Sequence, residues 1–594
     1  MKEYKNKKGS LPNAIHCLRE HLAPFHKKRA ALLSVVICLS AVLDVFGLAS
    51  ILPLIQLAAD MDAIHTNPYL NTMYTYLGFS EPKTFLLTLM LCTLLFFVLK
   101  NVFGLLVNFM QTRFSADVAT YLSKNQFSKY YSFDLNRFQS IKSSIIINHV
   151  YRNPLSFCEY ILMPVIMLFS ESVIFLLIIT GIAIYNIDLF LFTSAVVIPT
   201  SFIIYYSIRS TNARIGREID ANYPKALAAL THAIDGYVDI KLFNKESYYG
   251  KRFVDAQFKL HNLHLKSYFL NMVPLRANEI VALLGVVSIF IYAIFFTNNQ
   301  SQVILFVGLF AAAAYRLMPS LTRILNSLLF IKKNQVAIDN LNIYNKWYKQ
   351  ELANERHEKI EFEKSISFDK VTYHFPESDV KVIDELTFTV NKGETIGFVG
   401  SSGSGKTTLM NLLLGFHEPV SGDIMIDDIA LNKTYRKHWR SMIGYVKQDV
   451  FMVDGSIKEN IAFGENEVDE VKLKSAIKQA SLDKFIDSLP QGWDTPVGEK
   501  GSRLSGGQKQ RMGIARALYN NAQILVFDEA TSALDVETEN EVTEAINSLT
   551  DHNRTILIIA HRITTLKRCD RIYELKEGKI SAVYQYRELI EKVL

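Results

Sequence analysis

Residues 504–508 read Leu-Ser-Gly-Gly-Gln, and what stands on either side of them decides the fold. Upstream, residues 400–407 read Gly-Ser-Ser-Gly-Ser-Gly-Lys-Thr; downstream, residues 524–529 read Ile-Leu-Val-Phe-Asp-Glu. Gly400, Gly403 and Gly405 let the backbone turn tightly enough for amide N–H groups to point at phosphate oxygens. Lys406 adds positive charge, and the Thr407 hydroxyl is placed to hold Mg²⁺. The 504–508 stretch opens a second helix, whose N-terminal amides and dipole offer another anion site. The acidic strand end supplies two adjacent carboxylates, Asp528 and Glu529. A chain with one of each can close two nucleotides between two copies of itself, the phosphate loop of one facing the Leu-Ser-Gly-Gly-Gln of the other.

This set resembles the ATP-binding cassette (ABC) family over residues 363–594. The resemblance implies ATP and Mg²⁺ as ligands, with Asp528 for the metal shell and Glu529 as general base to polarise the attacking water, the division of labour that phosphoryl transfer requires, and it carries further residues with it. Gln448, in Val446-Lys-Gln-Asp449, matches the loop glutamine that senses γ-phosphate and metal; His561, in Ile559-Ala-His-Arg562, matches the switch histidine on γ-phosphate. Asp535, in Ser532-Ala-Leu-Asp535, matches the loop that crosses the dimer interface, and Glu499 the contact from cassette to membrane domain. Ser401, Ser404 and Thr408 complete the phosphate loop, and Ser505, Gly506, Gly507 and Gln508 the site offered to the other copy. Where the family stacks adenine on a Tyr before a Pro, Phe375 precedes Pro376 here, and its ring still offers a π-face. A lone phosphate loop of this kind also occurs in GTPases, kinases and helicases. Leu504–Gln508, with Gln448, Asp528, Glu529 and His561 in order, separates this chain from them. No catalytic position is degenerate, so both sites of a homodimer are expected to hydrolyse ATP.

Composition decides what the ATPase drives. At 594 residues the chain exceeds a single domain, and 49% hydrophobic residues with mean hydropathy +0.13 is too apolar for an ordinary soluble enzyme. The excess lies in six stretches near membrane-spanning length, about 30–58, 85–111, 160–185, 187–208, 274–297 and 303–331. The alternative of buried helices in a soluble protein fits poorly with six such stretches of one or two charges each. The predicted fold is thus an α-helical six-span transmembrane domain of exporter type followed by an α/β P-loop nucleotide-binding domain of the ABC ATPase fold. Its parts are a cytoplasmic arm (1–29), the membrane domain (30–331), a polar linker (332–362) and the cassette (363–594). The arm carries Lys2, Lys5, Lys7, Lys8, Arg19, Lys27, Lys28 and Arg29, and the connections 112–158 and 209–273 are basic, while 59–84 is acidic. The positive-inside rule puts both termini, both long connections and the cassette in the cytoplasm. This arrangement resembles the exporter-type ABC membrane domain, whose loops reach the cassettes through coupling helices, expected near Phe133–Gln139 and Thr231–Tyr237. The net charge of +6 follows from membrane-proximal arms, so no nucleic-acid partner is needed. The five cysteines are scattered without metal spacing, as reduced thiols are.

The transported molecule is read from charges inside spans: Asp44, Lys100, Glu171, Arg276, Glu279, Arg316 and Arg323. At roughly 2.5–3.5 kcal/mol each on insertion scales, such residues need partners or a wet cavity. Arg316 and Arg323 stand seven apart, hence on one helical face. One reading is that the acids and bases pair between helices; the other makes Arg316, Arg323, Arg276 and Lys100 substrate-binding cations for a phosphate-bearing molecule. In the external segment from Asn67 to Gly78, Leu70, Met73, Tyr74 and Leu77 fall at helical spacing, giving either a short amphipathic helix in the outer interface or a plain capping loop. The basic run and this segment resemble the PglK-type flippases, ABC transporters that turn over lipid-linked oligosaccharide for bacterial protein N-glycosylation. The resemblance implies a homodimer in the bacterial cytoplasmic membrane, among membrane lipids, translocating a polyprenyl diphosphate glycolipid. The alternatives are an exporter of drugs, lipid A-like lipids or peptides, and an ABC-type gated channel or regulator.

Overall fold

The computed structural model describes residues 10–593 except 60, 186, 297–299, 355–356, 531–535, 551–553 and 561, and along parts of the helices it describes the backbone alone. The chain divides into two compact units, one of Met1–Ser132 and Ile141–Tyr348, the other of Phe133–Ser140 and Lys349–Leu594.

The first unit is helical. Apolar runs set its long helices: Pro24–Ala49, Pro82–Tyr131, Met163–Tyr185, Ile187–Asp235, Glu246–Phe296 and Gln300–Lys333. Each predicted stretch falls on one of these, the first continuing into Ile51–Ala59. Among the described residues, Pro24–Gly47, Pro82–Tyr131 and Ser143–Gly181 are long and apolar enough to cross a membrane. The polar connections predicted at 112–158 and 209–273 are largely helix. Pro82–Tyr131, Ile187–Asp235 and Glu246–Phe296 run 50, 49 and 51 residues. At about 1.5 Å per residue each is more than twice the roughly 30 Å of a hydrocarbon core, so each continues far beyond it.

Outside the long helices, two local structures are set by single residues. Asn67 caps the helix Pro68–Tyr76 by accepting from the Tyr69 amide, and Pro68 fits its first turn. Leu70 and Tyr74, four apart, are buried with Leu57, Ile64 and Phe85, whereas Met73 and Leu77 are exposed. The segment expected to be external is therefore a helix with one buried stripe. At the other end, Lys129 Nζ donates to the carbonyls of Leu341 (2.9 Å) and Ile343 (3.2 Å) and to Asn345 Oδ1 (2.5 Å). It satisfies carbonyls left over where helix Gln335–Asn342 ends. Beside it, Ala14, Cys17 and Leu18 of helix Ser10–His21 share a core with Val118, Leu122, Ile338 and Leu341.

The second unit carries β1 (Ser365–His374), β2 (Lys381–Asn391), β3 (Thr395–Val399), β4 (Ser421–Ile426), β5 (Ile429–Ala430), β6 (Ile443–Val446), β7 (Ile524–Asp528), β8 (Thr555–Ile559), β9 (Arg571–Lys576) and β10 (Lys579–Tyr584). The main sheet has the order β10-β9-β3-β8-β7-β6, parallel throughout except for the β10 edge. An antiparallel sheet, β2-β1-β4-β5, sets Phe368 opposite Phe388. Every residue of β7 and β8 is buried, which is why both read as unbroken apolar runs. One core, with Phe368, Phe388, Phe398 and Tyr573, joins the two sheets. A second, with Met512, Ile514, Leu525 and Phe527, underlies the helix Gly506–Tyr519. The phosphate loop leaves the end of β3 and Asp528 ends β7, with β8 between them, so both lie at the carboxyl edge of parallel strands, where α/β sheets bind ligands.

Of the expected coupling helices, the first is the helix Leu135–Ser140, inside the cassette unit: Asn136 Nδ2 donates to the Tyr373 hydroxyl at 2.8 Å. Where the second was expected, near Thr231–Tyr237, the long helix runs on to Asp235, and after Gly236 a short helix, Tyr237–Leu242, follows.

Candidate active site

The phosphate loop is shaped by three glycines in left-handed backbone: Gly400 (φ 153°), Gly403 (φ 80°) and Gly405 (φ 105°). At Gly400 a Cβ would lie 2.3 Å from the Leu575 carbonyl oxygen, and at Gly405 2.9 Å from that of Val382, so both must be bare. Gly403 faces open space. Helix Lys406–Leu413 starts directly after the loop and turns its unpaired amides toward it. Lys406 folds back, Nζ donating to the Gly400 and Ser401 carbonyls at 2.9 Å each. Burial lowers its pKa, with Glu529 and Asp528 opposing. Ser404 Oγ is buried without a partner, an orphan hydroxyl aimed at nothing in the protein. An anion with several acceptor oxygens fits this set. Thr407 is exposed on the first turn and Thr408 half-buried beside it, while Ser401 is exposed on the loop.

Across the edge, the Asp528 carboxylate accepts from the Tyr445 hydroxyl at 2.8 Å. Burial pushes its pKa up, the tyrosine bond opposes, and neighbouring Glu529 pushes it further. Tyr445 is in turn raised by burial and by Asp528. Among the described residues no cluster of three or more His, Cys, Asp or Glu ligands forms. A divalent ion here would therefore rest on the Asp528 carboxylate, the Thr407 hydroxyl, the Gln448 amide and phosphate oxygens, the pattern Mg²⁺ accepts. Gln448 is exposed, and its carbonyl accepts from Gln510 Nε2 at 2.5 Å, tying its loop to the helix that Ser505 opens. There Ser505 Oγ accepts from the Gln508 amide (3.3 Å) while Gln508 Oε1 accepts from the Ser505 amide (2.9 Å), a complete capping box ahead of Gly506 and Gly507. The sequence reading missed Tyr445 and Gln510, whose roles come from strand and helix neighbours rather than from a motif. Phe375 is exposed, its ring edge against Tyr373 at 5.5 Å. Asp535 and His561 lie outside the described residues.

The charges expected inside the membrane are paired. Asp44 receives Lys100 Nζ (2.9 Å) on one oxygen and Arg316 Nη2 (2.7 Å) on the other. Glu171 receives Arg323 Nη1 (2.5 Å), the Ser320 hydroxyl (2.5 Å) and, at 3.9 Å, Arg316 Nη1. Four helices thus meet in one network of three bases and two acids. The side chain of Glu171 is 5% exposed and that of Arg323 42%, so the network is open on the Arg323 side. Arg276 stands apart, in an exposed pair with Glu279 three residues on.

Among known proteins, the family model "ABC transporter" matches residues 383–532 and "ABC transporter transmembrane region" matches residues 35–319. An ATP-dependent lipid A-core flippase of Bordetella avium (strain 197N) is 33% identical over 396 residues, 66% of this chain and 67% of the relative. One of Saccharophagus degradans is 34% identical over 382 residues, 64% of each chain. A putative multidrug export ATP-binding/permease protein of Staphylococcus aureus is 42% identical over 227 residues, 38% of this chain and 39% of the relative. The alignments thus span about two thirds of the flippases' length or less. In fold, a bacterial Atm1-family ABC exporter solved with ATP bound superimposes with a TM-score of 0.80 at 22% identity, covering 95% of this chain and 97% of that one.

Proposed function

The chain belongs to the ABC transporter family, as an exporter-type half-transporter with a fused ATP-hydrolysing cassette, and from that premise we propose that it is a homodimeric flippase of the bacterial cytoplasmic membrane. Its substrate on this reading is a polyprenyl diphosphate-linked oligosaccharide used in protein N-glycosylation. The observation that carries the substrate class is the intramembrane network, where among the described residues Lys100, Arg316 and Arg323 pair with the two acids Asp44 and Glu171. One positive charge per chain is left over, doubled in a dimer, and Arg323 presents part of its guanidinium to the open side. A diphosphate can take two parallel bonds from such a fork and supply the missing negative charge. A cationic drug would meet repulsion there.

In the cassette, Phe375 carries the adenine, and Gly400, Gly403, Gly405, Ser401, Ser404, Lys406 and Thr408 hold the phosphates. Ser505, Gly506, Gly507 and Gln508 of the other copy close over them, with Asp535 at the seam. Thr407, Asp528 and Gln448 would hold a magnesium ion, which when bound would supply positive charge to the phosphate oxygens. Glu529 takes the proton of the attacking water, and His561 and Gln448 orient around the γ-phosphate. A second reading, export of a different lipid, is favoured by the names of the flippase relatives. One assay separates them: the purified protein in liposomes, with ATP-dependent loss of fluorescent lipid-linked oligosaccharide from one leaflet measured against a lipid A-type lipid, a peptide and a dye. Flipping of the other lipid alone would overturn the oligosaccharide reading.

A further inference from the structure

Helices Ile187–Asp235 and Gln300–Lys333 pass so closely at Gly216 that a Cβ there would fall 1.8 Å from the Lys333 carbonyl oxygen. Beside this crossing lies a cavity of about 40 Å³, lined by Asn148, Arg152, Asp220, Lys333, Asn334 and their neighbours. That is space for about three water molecules or one small tetrahedral anion. The lining carries two bases, Arg152 and Lys333, against one carboxylate, Asp220. The Arg152 guanidinium lies 3.7 Å over the Tyr223 ring, and Lys333 Nζ donates only to the Ser267 hydroxyl, at 2.5 Å. Among the described residues neither base makes an ion pair. Burial and the charge of Arg152 both hold the Lys333 pKa below its ordinary value, the mark of an ammonium short of counter-charge. The one lining carboxylate, Asp220, accepts from Asn340 Nδ2 at 3.1 Å and attracts Arg152 from beyond ion-pair distance, so it offsets one of the two positive charges. Asp339 lies outside the lining and is pushed up to about 6 by burial and by Asp220. The cavity sits at the helix ends expected on the cytoplasmic side, away from the network of Asp44 and Glu171.

We propose that this cavity is a phosphate-class anion site, held by the Arg152 guanidinium and the Lys333 ammonium, with the Asn148 amide as a neutral donor and Asp220 accepting from a phosphate that still carries a proton. Two half-buried cations facing one carboxylate leave a positive charge without a counter-ion, and a bound anion supplies it while making charge-assisted bonds to both. Free phosphate and a phospholipid headgroup share this chemistry.

The test uses the full-length protein in a Lys406→Ala background, which removes the charge of the cassette's own phosphate loop. Without nucleotide, inorganic phosphate is titrated in neutral-lipid nanodiscs and binding is followed by calorimetry. In parallel, native mass spectrometry counts anionic against zwitterionic phospholipid retained. Saturable phosphate binding that weakens about tenfold or more in Arg152→Gln/Lys333→Gln and is retained in Arg152→Lys supports the site with a free anion as its ligand. Retention of anionic lipid that is lost in the same variant supports it with a headgroup. Unfolding temperatures without phosphate identify a variant that fails to fold, and then Arg152→Gln against Arg152→Lys alone decides. Binding unchanged in a folded Gln variant, or no saturable binding of either probe, overturns the proposal.

Discussion

Glu529 follows Asp528 at the end of β7 with φ at 52°, a left-handed backbone that a residue with a side chain holds only at a cost of about 1–3 kcal/mol. The β7–β8 pairing maintains it, since the Glu529 amide donates to the Ile559 carbonyl at 3.0 Å. A carboxylate so held is set for one task. Glu529→Gln should bind ATP as the wild type does and lower its turnover by about 10²-fold or more. Near-normal steady-state ATPase in that variant would sink the assignment, whereas Lys406→Ala should lose nucleotide binding itself. The intramembrane charges make an asymmetric prediction. Glu171 is buried and holds two arginines and Ser320, so Glu171→Gln leaves cations without a partner and should lower the unfolding temperature clearly. Arg323→Gln, at the open side, should cost little stability but depress lipid-linked oligosaccharide flipping while basal ATPase persists. Equal stability losses in the two variants, with flipping intact, would make the network purely structural. The charges were legible in the sequence because ions in apolar runs are conspicuous. Their partners were not, because Asp44 and Arg316 meet only after four helices have packed. Tyr445 and Gln510 were equally hidden: nothing local to either residue names the carboxylate or the carbonyl that it serves.

At the scale of elements, the short helix Gln335–Asn342 shows how much one joint can hold. Lys129 closes its C-terminus, and Asp339 sits within it with a pKa near 6 against an ordinary 3.8. The sign follows directly. Between about pH 4 and 6 the folded chain keeps a proton that the unfolded chain has shed, so folding stability falls as pH rises through that window and stays lower above it. Asp339→Asn should therefore raise the unfolding temperature near neutral pH and flatten its dependence over the same window. An unfolding temperature with the wild-type slope would show the carboxyl to be solvated after all. Elements were largely readable where one physical signal dominates, as in the apolar runs or the Ser505–Gln508 capping box. The reading stopped the helices too early because it took polarity for a connection. Residues such as 112–131 are polar since they leave the hydrocarbon, yet their backbone bonds remain helical.

At the scale of the whole molecule, one chain supplies a phosphate loop and a Leu-Ser-Gly-Gly-Gln, and in the proposed homodimer each composite site would take one of each from different copies. Mixing Lys406→Ala chains with Ser505→Arg chains should therefore restore one intact site per mixed dimer and a measurable share of ATPase, while each variant alone stays inactive. Absence of any recovery in co-purified mixed dimers would contradict the head-to-tail arrangement. The cassette was legible because its chemistry lives in contiguous loops, whereas a transport path is assembled from single residues on separate helices. One detail bears on how such proteins can be cut and rejoined. Asn136 bonds to Tyr373, and Phe375 sits two residues further along the same strand end, so eight residues from the first half of the chain are built into the second. A chimera spliced at the linker would inherit a foreign Leu135–Ser140 against its own Tyr373 and Phe375. Grafting that segment together with residues 349–594 is the exchange that keeps the recombinant a matched set.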